Sequence, residues 1–170
     1  MKFRTIKPCQ MDKATFVQCF SDIYEHSPWI ADATYDKGPV DQFDNLHIVH
    51  RTMSEVLLNA SYEQQLALIN AHPDLAGKAA IQGTLTASST QEQAGAGIHE
   101  CSAEEFKRFS QLNTAYKEKF GFPFIKAVKG SNRFQILEAF ASRLKNDKPT
   151  EFKQALDEIN KIALFRLKML

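Results

Sequence analysis

Apolar residues recur at intervals of three and four along most of the chain, which is the spacing of one face of an α-helix. One such stripe follows Asp12, a residue type that caps helix N-termini. Another follows the capping-box pair Ser102 and Glu105 and ends at Gly121, which suits the position after a helix. The stripes comprise Phe16, Cys19, Phe20 and Ile23; Leu46, Val49, Met53, Val56 and Leu57; Phe106, Phe109, Leu112, Tyr116 and Phe120; Ile136, Leu137, Phe140 and Leu144; and Phe152, Leu156, Ile159 and Ala163.

Polar residues in front of the stripes predict where further helices begin. Two pairs have capping-box spacing, Ser61 with Gln64 and Ser89 with Glu92. Pro73 ends the helix after the first pair near Ala71 or His72, because the residue before proline disfavours the α conformation. Helix starts are also predicted at Ser131 or Asn132 and at Pro149–Thr150.

The sequence lacks the sustained apolar–polar alternation of half-buried strands. The best extended candidate is residues 122–128, where Pro123 argues against a central strand. Residues 27–42, with two prolines and one glycine, are predicted to be a connection inside one domain, with room for a short helix. We therefore expect an all-α fold, a single-domain bundle over residues 1–170 with about seven or eight helices.

Charge is nearly balanced, with 21 Lys and Arg against 20 Asp and Glu. A net charge of +1 gives no reason to expect a nucleic acid or an anionic membrane as a partner. No apolar run approaches the ~20 residues of a membrane helix. Three cysteines without C-x-x-C spacing are typical of reduced thiols, so we expect a cytoplasmic location.

His72 is the first candidate for chemistry because it lies between a predicted helix end and Pro73. A proline-stiffened segment can hold an imidazole in one orientation, as proton transfer requires. Position alone favours a simpler interpretation, a histidine that interacts with the dipole at a helix C-terminus.

The segment from Ser89 to Gln93 is the second candidate. As a helix start it offers unpaired amides and partial positive charge, which suit an anionic or carbonyl-rich ligand. The small residues 94–97 behind it allow close approach. Taken alone, Glu92 is explained more simply as one half of a capping box.

Arg166 is a charged residue on an apolar stripe, seven residues after Ile159 and fourteen after Phe152. Such a residue extends to solvent, pairs with an acid or meets a bound anion. Because Arg166 is near the C-terminus, the pattern leaves both solvent exposure and ligand binding open.

Asp44, His47 and His50 follow one another at intervals of three, a spacing that metal ligands use. A di-iron bundle needs such a motif on two helices plus further acids, and the sequence has it once. A solvated or partly buried helix face is therefore the favoured interpretation.

Four segments of the chain form a recognisable set. They are Ala71–Lys78 (AHPDLAGK), Ser89–Ile98 (STQEQAGAGI), Leu112–Ile125 (LNTAYKEKFGFPFI) and Glu158–Leu167 (EINKIALFRL). In order and over nearly the whole chain, they resemble the 2-oxo-4-hydroxy-4-carboxy-5-ureidoimidazoline (OHCU) decarboxylase family, and the third segment is long and highly specific.

The resemblance implies an all-α carboxy-lyase without a cofactor, usually a homodimer, that converts OHCU to (S)-allantoin and carbon dioxide in uric acid degradation. It implies that His72 is the catalytic histidine, that Glu92 is the essential acid beside it, and that Arg166 contacts the substrate. The other ligand-contacting residues that it implies are Pro73, Ser89, Thr90, Gln91, Glu92, Gln93, Phe124, Ile125, Lys126, Ala127 and Val128.

Two alternatives compete with this interpretation. The first is a metal-dependent hydrolase of a cyclic ureide that uses Asp44, His47 and His50. The second is a non-catalytic helical binding module. Activity that survives a chelator argues against the hydrolase, and loss of activity in His72→Ala argues against the binding module.

Overall fold

The computed structural model describes residues 1–77 and 82–170, and these residues form eight α-helices. They are α1 (Lys13–Phe20), α2 (Pro28–Lys37), α3 (Leu46–Leu58), α4 (Tyr62–Ala71), α5 (Ala87–Gly95), α6 (Ala103–Phe120), α7 (Arg133–Arg143) and α8 (Lys148–Leu167). Within the same residues there is no strand, only an isolated bridge between Lys2 and Asn45. The predicted all-α class is confirmed. Lys78, the last residue of the first recognised segment, lies outside the described residues.

Side chains at the first turns fix most helix starts where the sequence predicts them. Asp12 accepts a 2.8 Å hydrogen bond from the amide of Thr15 at the start of α1. Reciprocal capping boxes open three other helices: Ser61 with Gln64, Ser102 with Glu105, and Asn132 with Gln135. Gly121 ends α6 with a φ of +81°, a conformation that glycine adopts without steric cost.

The predicted start of α5 is wrong. The helix begins at Ala87, and its cap is Thr86, whose hydroxyl oxygen accepts from the amide of Ser89 at 3.3 Å. Ser89 therefore lies inside the first turn, and Glu92 lies in the middle of the helix. The Ser89–Glu92 spacing imitates a capping box, but the threonine three residues earlier takes the capping position.

The predicted connection over residues 27–42 is largely helical, because α2 occupies ten residues of it. Pro28 is at the start of α2, where its missing N–H has no helical partner to lose. None of the helices described is both long enough and apolar enough to span a membrane.

The chain divides into two compact units, one of Met1–Ala71 with Ile159–Leu170 and the other of His72–Glu158. The first part of α8 belongs to the second unit, and the rest of α8 belongs to the first. Each unit has its own core. The single domain expected over residues 1–170 remains a prediction.

The unit of Met1–Ala71 and Ile159–Leu170 has an aromatic cluster around α1. Phe16 packs against Phe20 and Phe43, with ring centroids 4.4 and 5.3 Å apart. The apolar stripe predicted on α3 is buried as a whole, namely Leu46, Val49, Met53, Val56 and Leu57. Burial of these stripes supplies the main driving force for this part of the fold.

The core of the His72–Glu158 unit is centred on Tyr116 of α6. Its ring lies 4.5 to 6.1 Å, between centroids, from the rings of Phe120, Phe122, Phe124 and Phe140. Residues 123–128 are neither helix nor strand, yet Phe124 within them stacks on Phe140 at 3.8 Å. Aromatic packing therefore fixes an irregular segment in this core.

Candidate active site

His72 directly follows the last residue of α4 and is buried, with 8% of its surface exposed. Pro73 ends the helix there, as predicted. The backbone then turns to Ala76, whose φ of +51° lies in the left-handed region. Residues 72–77 are called the histidine turn below.

Gln93 of α5 bonds to the histidine turn through both ends of its side-chain amide. Oε1 accepts from the N–H of Ala76 at 3.1 Å, and Nε2 donates to the carbonyl oxygen of Asp74 at 3.3 Å. Gln93 is buried, and hydrogen bonds away from water are electrostatically stronger. The turn is thereby anchored to α5.

Two side chains of α6 bond to the same turn. Nδ2 of Asn113 donates to the carbonyl oxygen of Leu75 at 2.9 Å in the interior. Nζ of Lys117 lies 2.6 Å from the carboxylate of Asp74. Residues 113 and 117 are four apart and share one face of the helix. The turn is therefore held by side chains from two helices.

Ser89 lies on the same side of α5 as Gln93, because the two are four residues apart, whereas Glu92 is adjacent to Gln93 and points about 100° away from it. Ser89 and Gln93 are buried and Glu92 is half-buried, whereas Thr90 and Gln91 are exposed. Glu92 is thus next in sequence to the residue of α5 that bonds the turn carrying His72.

The cradle of open amides predicted over residues 89–93 is wrong. The amide of Ser89 donates to the hydroxyl of Thr86, and the amide of Thr90 donates to the carbonyl of Thr86 at 2.9 Å. The following amides lie within the helix, where they donate to carbonyls one turn earlier. Ligand contacts from this segment must therefore come from its side chains.

Residues 124–128, the second implied ligand-contacting segment, are held by charged side chains that bond to their backbone. Arg143 of α7 donates to the carbonyl oxygen of Ile125 at 2.5 Å. Glu158 of α8 accepts from the amide of Ala127 at 2.7 Å. These bonds, together with the aromatic packing, fix the backbone of the segment.

Arg143 belongs to a buried group that includes Tyr116 and Glu151. The carboxylate of Glu151 has no exposed surface and accepts from Tyr116 Oη, from Arg143 Nε at 2.9 Å and from Asn146 Nδ2 at 2.7 Å. Burial, and then the hydrogen bond to this carboxylate, raises the pKa of Tyr116 well above its usual range. The phenol is therefore a proton donor in this group.

Arg166 belongs to the unit of Met1–Ala71 and Ile159–Leu170. It is buried, and its Nη1 donates to the carboxylate of Glu25 at 2.9 Å and to the carbonyl of Asp22 at 3.2 Å. Of the outcomes that its place on the apolar stripe left open, pairing with an acid is observed. Its burial is at odds with a side chain that extends into solvent.

Two of the three side chains considered as metal ligands make other bonds. Asp44 accepts from the amide of Cys9 at 3.2 Å, and Nε2 of His50 bonds the carbonyl of Asn160 at 2.8 Å, which requires a proton on that nitrogen. Within residues 1–77 and 82–170, no three His, Cys, Asp or Glu side chains are arranged to hold a metal ion.

Three residues in these hydrogen-bond groups did not emerge from sequence patterns. Asn113 had an available signal, because it is a polar residue three positions before Tyr116 on the apolar stripe of α6. Glu151 is in the first turn of α8, where an acid is already explained by the helix dipole. Glu25 lies between two helices, where no periodicity applies.

Comparisons with known proteins agree with this picture. The OHCU decarboxylase family matches residues 9–168. A protein named 2-oxo-4-hydroxy-4-carboxy-5-ureidoimidazoline decarboxylase from Halalkalicoccus jeotgali is 38% identical over 95% of this chain and 88% of its own length. A protein of the same name from Mus musculus is 36% identical over 95% of this chain and 89% of its own length. The uric acid degradation bifunctional protein PucL of Bacillus subtilis is 41% identical over 93% of this chain, which covers 31% of PucL.

Two solved structures have a similar fold. The crystal structure of an (S)-allantoin synthase matches 94% of this chain and 50% of its own chain, with a TM-score of 0.74 and 29% identity. A crystal structure of OHCU decarboxylase in the presence of (S)-allantoin matches 92% of this chain and 96% of its own chain, with a TM-score of 0.65 and 22% identity. At that identity it supports the fold alone. Because the family match and the sequence relatives span nearly the whole chain, the chain belongs to the OHCU decarboxylase family.

Proposed function

We propose that this protein decarboxylates OHCU to (S)-allantoin without a cofactor, and that His72 is its catalytic histidine. Membership of the OHCU decarboxylase family supports the reaction. The histidine turn supports the catalytic role of His72. The residue is buried beside a proline, on a backbone that Gln93 and Asn113 hold by hydrogen bonds. Such restraint is what a proton-transfer group needs.

The reaction breaks the bond between the ring carbon and its carboxylate, and carbon dioxide leaves. The electron pair of the broken bond forms a double bond to the ureido-bearing ring carbon, and the electron pair of the former ring C=N takes up a proton at nitrogen. The 4-hydroxyl then loses its proton and becomes a carbonyl, while protonation of the ureido-bearing carbon from one face sets the S centre. A buried site strengthens hydrogen bonds to the developing anion. His72 exchanges a proton with the 4-hydroxyl or the ring as charge moves, a contribution of about 10²–10⁴-fold.

Glu92 is proposed as the acid beside His72. It is half-buried and next in sequence to Gln93, which bonds the histidine turn. There it fixes the tautomer of the imidazole or holds the hydroxyl and ureido groups of the substrate. A carboxylate that bonds one ring nitrogen determines which nitrogen carries the proton.

The remaining contacts are proposals of the same kind. The family resemblance implies that Pro73, the α5 segment from Ser89 to Gln93 and residues 124–128 contact the substrate. We adopt these contacts except at Gln93, whose carboxamide is bonded to the histidine turn. Arg166 holds a carbonyl or carboxylate oxygen, and its pair with Glu25 orients the guanidinium for that bond. The homodimer that the family resemblance implies and the cytoplasmic location expected from the cysteine pattern complete the proposal.

The test uses freshly generated OHCU and chiral analysis of the allantoin formed. Uncatalysed decay gives racemic allantoin, so the wild-type protein is expected to give an excess of the S form. His72→Ala is expected to lose about 10²–10⁴-fold in rate with unchanged circular dichroism. The control is His99→Ala, since His99 is 64% exposed.

The same assay decides between the alternatives. A cofactor-independent decarboxylase keeps its rate in a chelator, whereas a metal-dependent hydrolase loses it. If His72→Ala forms (S)-allantoin at the wild-type rate, the catalytic role of His72 is wrong. Racemic product at the uncatalysed rate from the wild-type protein contradicts the whole proposal and favours a binding module.

A further inference from the structure

The structure uses Gln93 differently from the ligand contact that the family resemblance implies. Its carboxamide oxygen bonds the amide of Ala76, and its nitrogen bonds the carbonyl of Asp74. We propose that Gln93, together with Asn113, is a positioning residue that fixes the histidine turn and thereby the imidazole of His72. This inference rests on the catalytic role proposed for His72.

The backbone of the turn depends on side chains for its hydrogen bonds. Pro73 has no N–H, and the turn has one weak internal bond, from the amide of Gly77 to the carbonyl of Asp74 at 3.3 Å. Buried backbone groups require partners. Gln93 and Asn113 bond three backbone groups of the turn, and so replace a regular ladder of backbone bonds.

Ala76 adds a second reason why the turn needs external support. Its φ of +51° is unfavourable for a residue with a Cβ atom, and such a conformation persists only where the surroundings impose it. The amide of Ala76 is the group that Gln93 Oε1 accepts from. Gln93 therefore acts at the strained residue of the turn, four positions after His72.

Stability alone explains Asn113 poorly. Its Oδ1 atom is buried and has no hydrogen-bond partner among the described residues, which is costly. A leucine of similar volume avoids that cost but cannot donate to the carbonyl of Leu75. The value of asparagine at this position therefore lies in the bond from its Nδ2 to the turn.

Positioning and direct substrate contact predict different kinetics. Loss of a substrate contact that is equal in ground and transition states raises KM and leaves kcat unchanged. Loss of support for the turn displaces the imidazole, and displacement by about 1 Å can cost 10²-fold in rate. For Gln93→Met and Asn113→Leu we therefore expect kcat to fall by about 10²-fold with KM nearly unchanged.

The matched control is Gln111→Met. Gln111 is exposed on α6, and the substitution makes the same chemical change as at Gln93. We expect it to keep both kcat and KM. If Gln93→Met does not fold, Gln93→Glu is measured instead, because it keeps an acceptor for Ala76 and loses the donor to Asp74.

A second measurement needs no substrate. The ¹H–¹³C ring signal of His72, assigned by its loss in His72→Ala, is expected to shift or broaden in Gln93→Met and in Asn113→Leu, and to stay in place in Gln111→Met. The other histidine signals report whether the fold is intact; they come from His26, His47, His50 and His99.

The outcomes separate this inference from the proposed function. An unchanged His72 signal in both variants, or a raised KM with wild-type kcat, overturns the positioning role while the decarboxylase proposal stands. Racemic allantoin from the wild-type protein overturns the proposed function. Even in that case, a displaced His72 signal in Gln93→Met and Asn113→Leu supports the structural part of the inference, namely that Gln93 and Asn113 hold the turn.

Discussion

The carboxylate of Glu25 and the guanidinium of Arg166 form an ion pair in which both side chains are almost fully buried. Nη1 and Oε2 are 2.9 Å apart, and 6% of the Arg166 side chain and 2% of the Glu25 side chain are exposed. Burying two charges has a desolvation cost that their attraction only partly offsets. Removing one partner is far more damaging, because the other charge remains buried alone.

Arg166→Met is therefore expected to lower the free energy of unfolding by about 3–5 kcal/mol. The double variant Glu25→Leu/Arg166→Met is expected to recover most of that loss, since no buried charge remains. Chemical denaturation measures both values. If the loss in the double variant equals the sum of the losses in Arg166→Met and Glu25→Leu, the ion pair as described is contradicted.

Activity of the double variant tests the substrate contact proposed for Arg166. If the guanidinium binds the substrate, the double variant regains stability but not decarboxylation. If Arg166 only neutralises Glu25, activity returns together with stability. Measuring kcat/KM for (S)-allantoin formation at a temperature where all variants are folded distinguishes the two results.

Tyr116→Phe removes one hydrogen bond to the buried carboxylate of Glu151 and keeps the ring in its aromatic cluster. A bond to a charged group contributes about 1.5–3 kcal/mol, so a loss of that size is expected. Tyr35→Phe is the control, because Tyr35 bonds a neutral carbonyl, that of Met11, at 3.0 Å and should lose about 0.5–1.5 kcal/mol. Equal losses in urea denaturation contradict a charge-assisted bond at Tyr116.

Alkaline pH is expected to destabilise the fold through Tyr24 and Tyr116. Burial is the main cause that raises the pKa of each phenol above its ordinary value of about 10. Above that pH the unfolded chain releases both protons while the folded chain keeps them, so stability falls as pH rises. Each phenol contributes a slope of about 1.4 kcal/mol per pH unit.

The check is the pH dependence of unfolding in Tyr24→Phe and Tyr116→Phe, each of which should lose one such slope. Tyr62→Phe is the control, because Tyr62 is 51% exposed. If Tyr24→Phe and Tyr116→Phe both keep the wild-type slope of stability against pH, these two phenols are not the cause of the alkaline destabilisation.

His50 is expected to make the fold sensitive to mild acid. Burial lowers its pKa, and the hydrogen bond to the carbonyl of Asn160 opposes this only in part. The unfolded chain therefore takes up the proton first, so the stabilising contribution is present above the ordinary pKa of about 6.5 and is lost as pH falls. His50→Gln keeps a donor for the carbonyl and should be less sensitive to acid. The control His99→Gln should behave as wild type, because His99 is 64% exposed.

Substitution by alanine should affect the free energy of unfolding differently at two glycines. Gly121 has a φ of +81°, so Gly121→Ala is expected to cost about 1–2 kcal/mol although its new Cβ meets nothing closer than 3.5 Å. Gly95 is the last residue of α5 with open space around it, and Gly95→Ala should be neutral or stabilising by up to about 1 kcal/mol. Thermal or urea unfolding gives both signs. A stabilised Gly121→Ala contradicts the assigned backbone conformation.

Helix positions could be predicted because their signals are local. The cap of α1 at Asp12 and the capping box at Ser102 lie within three residues of the amides that they bond. The start of α5 was misplaced because Ser89 matched the local pattern as well as Thr86 did, and only the fold selects between them.

The supports of the candidate site could not be predicted in the same way. Gln93 bonds a residue 17 positions away, and Asn113 bonds one 38 positions away. Such pairs depend on how helices pack, which no periodicity encodes. His72 itself could be proposed from its proline neighbour and from the family resemblance, whereas the side chains that hold its turn needed the structure.

The histidine turn and the aromatic core of the His72–Glu158 unit meet on α6 at positions only three residues apart, Asn113 and Tyr116. One inserted residue between them rotates the rest of the helix by about 100°. Either the turn or the core then loses its partner. Homologues and engineered variants should therefore tolerate changes of length at the ends of α6 and exclude them from these few positions, so that chemistry and packing are inherited as one unit.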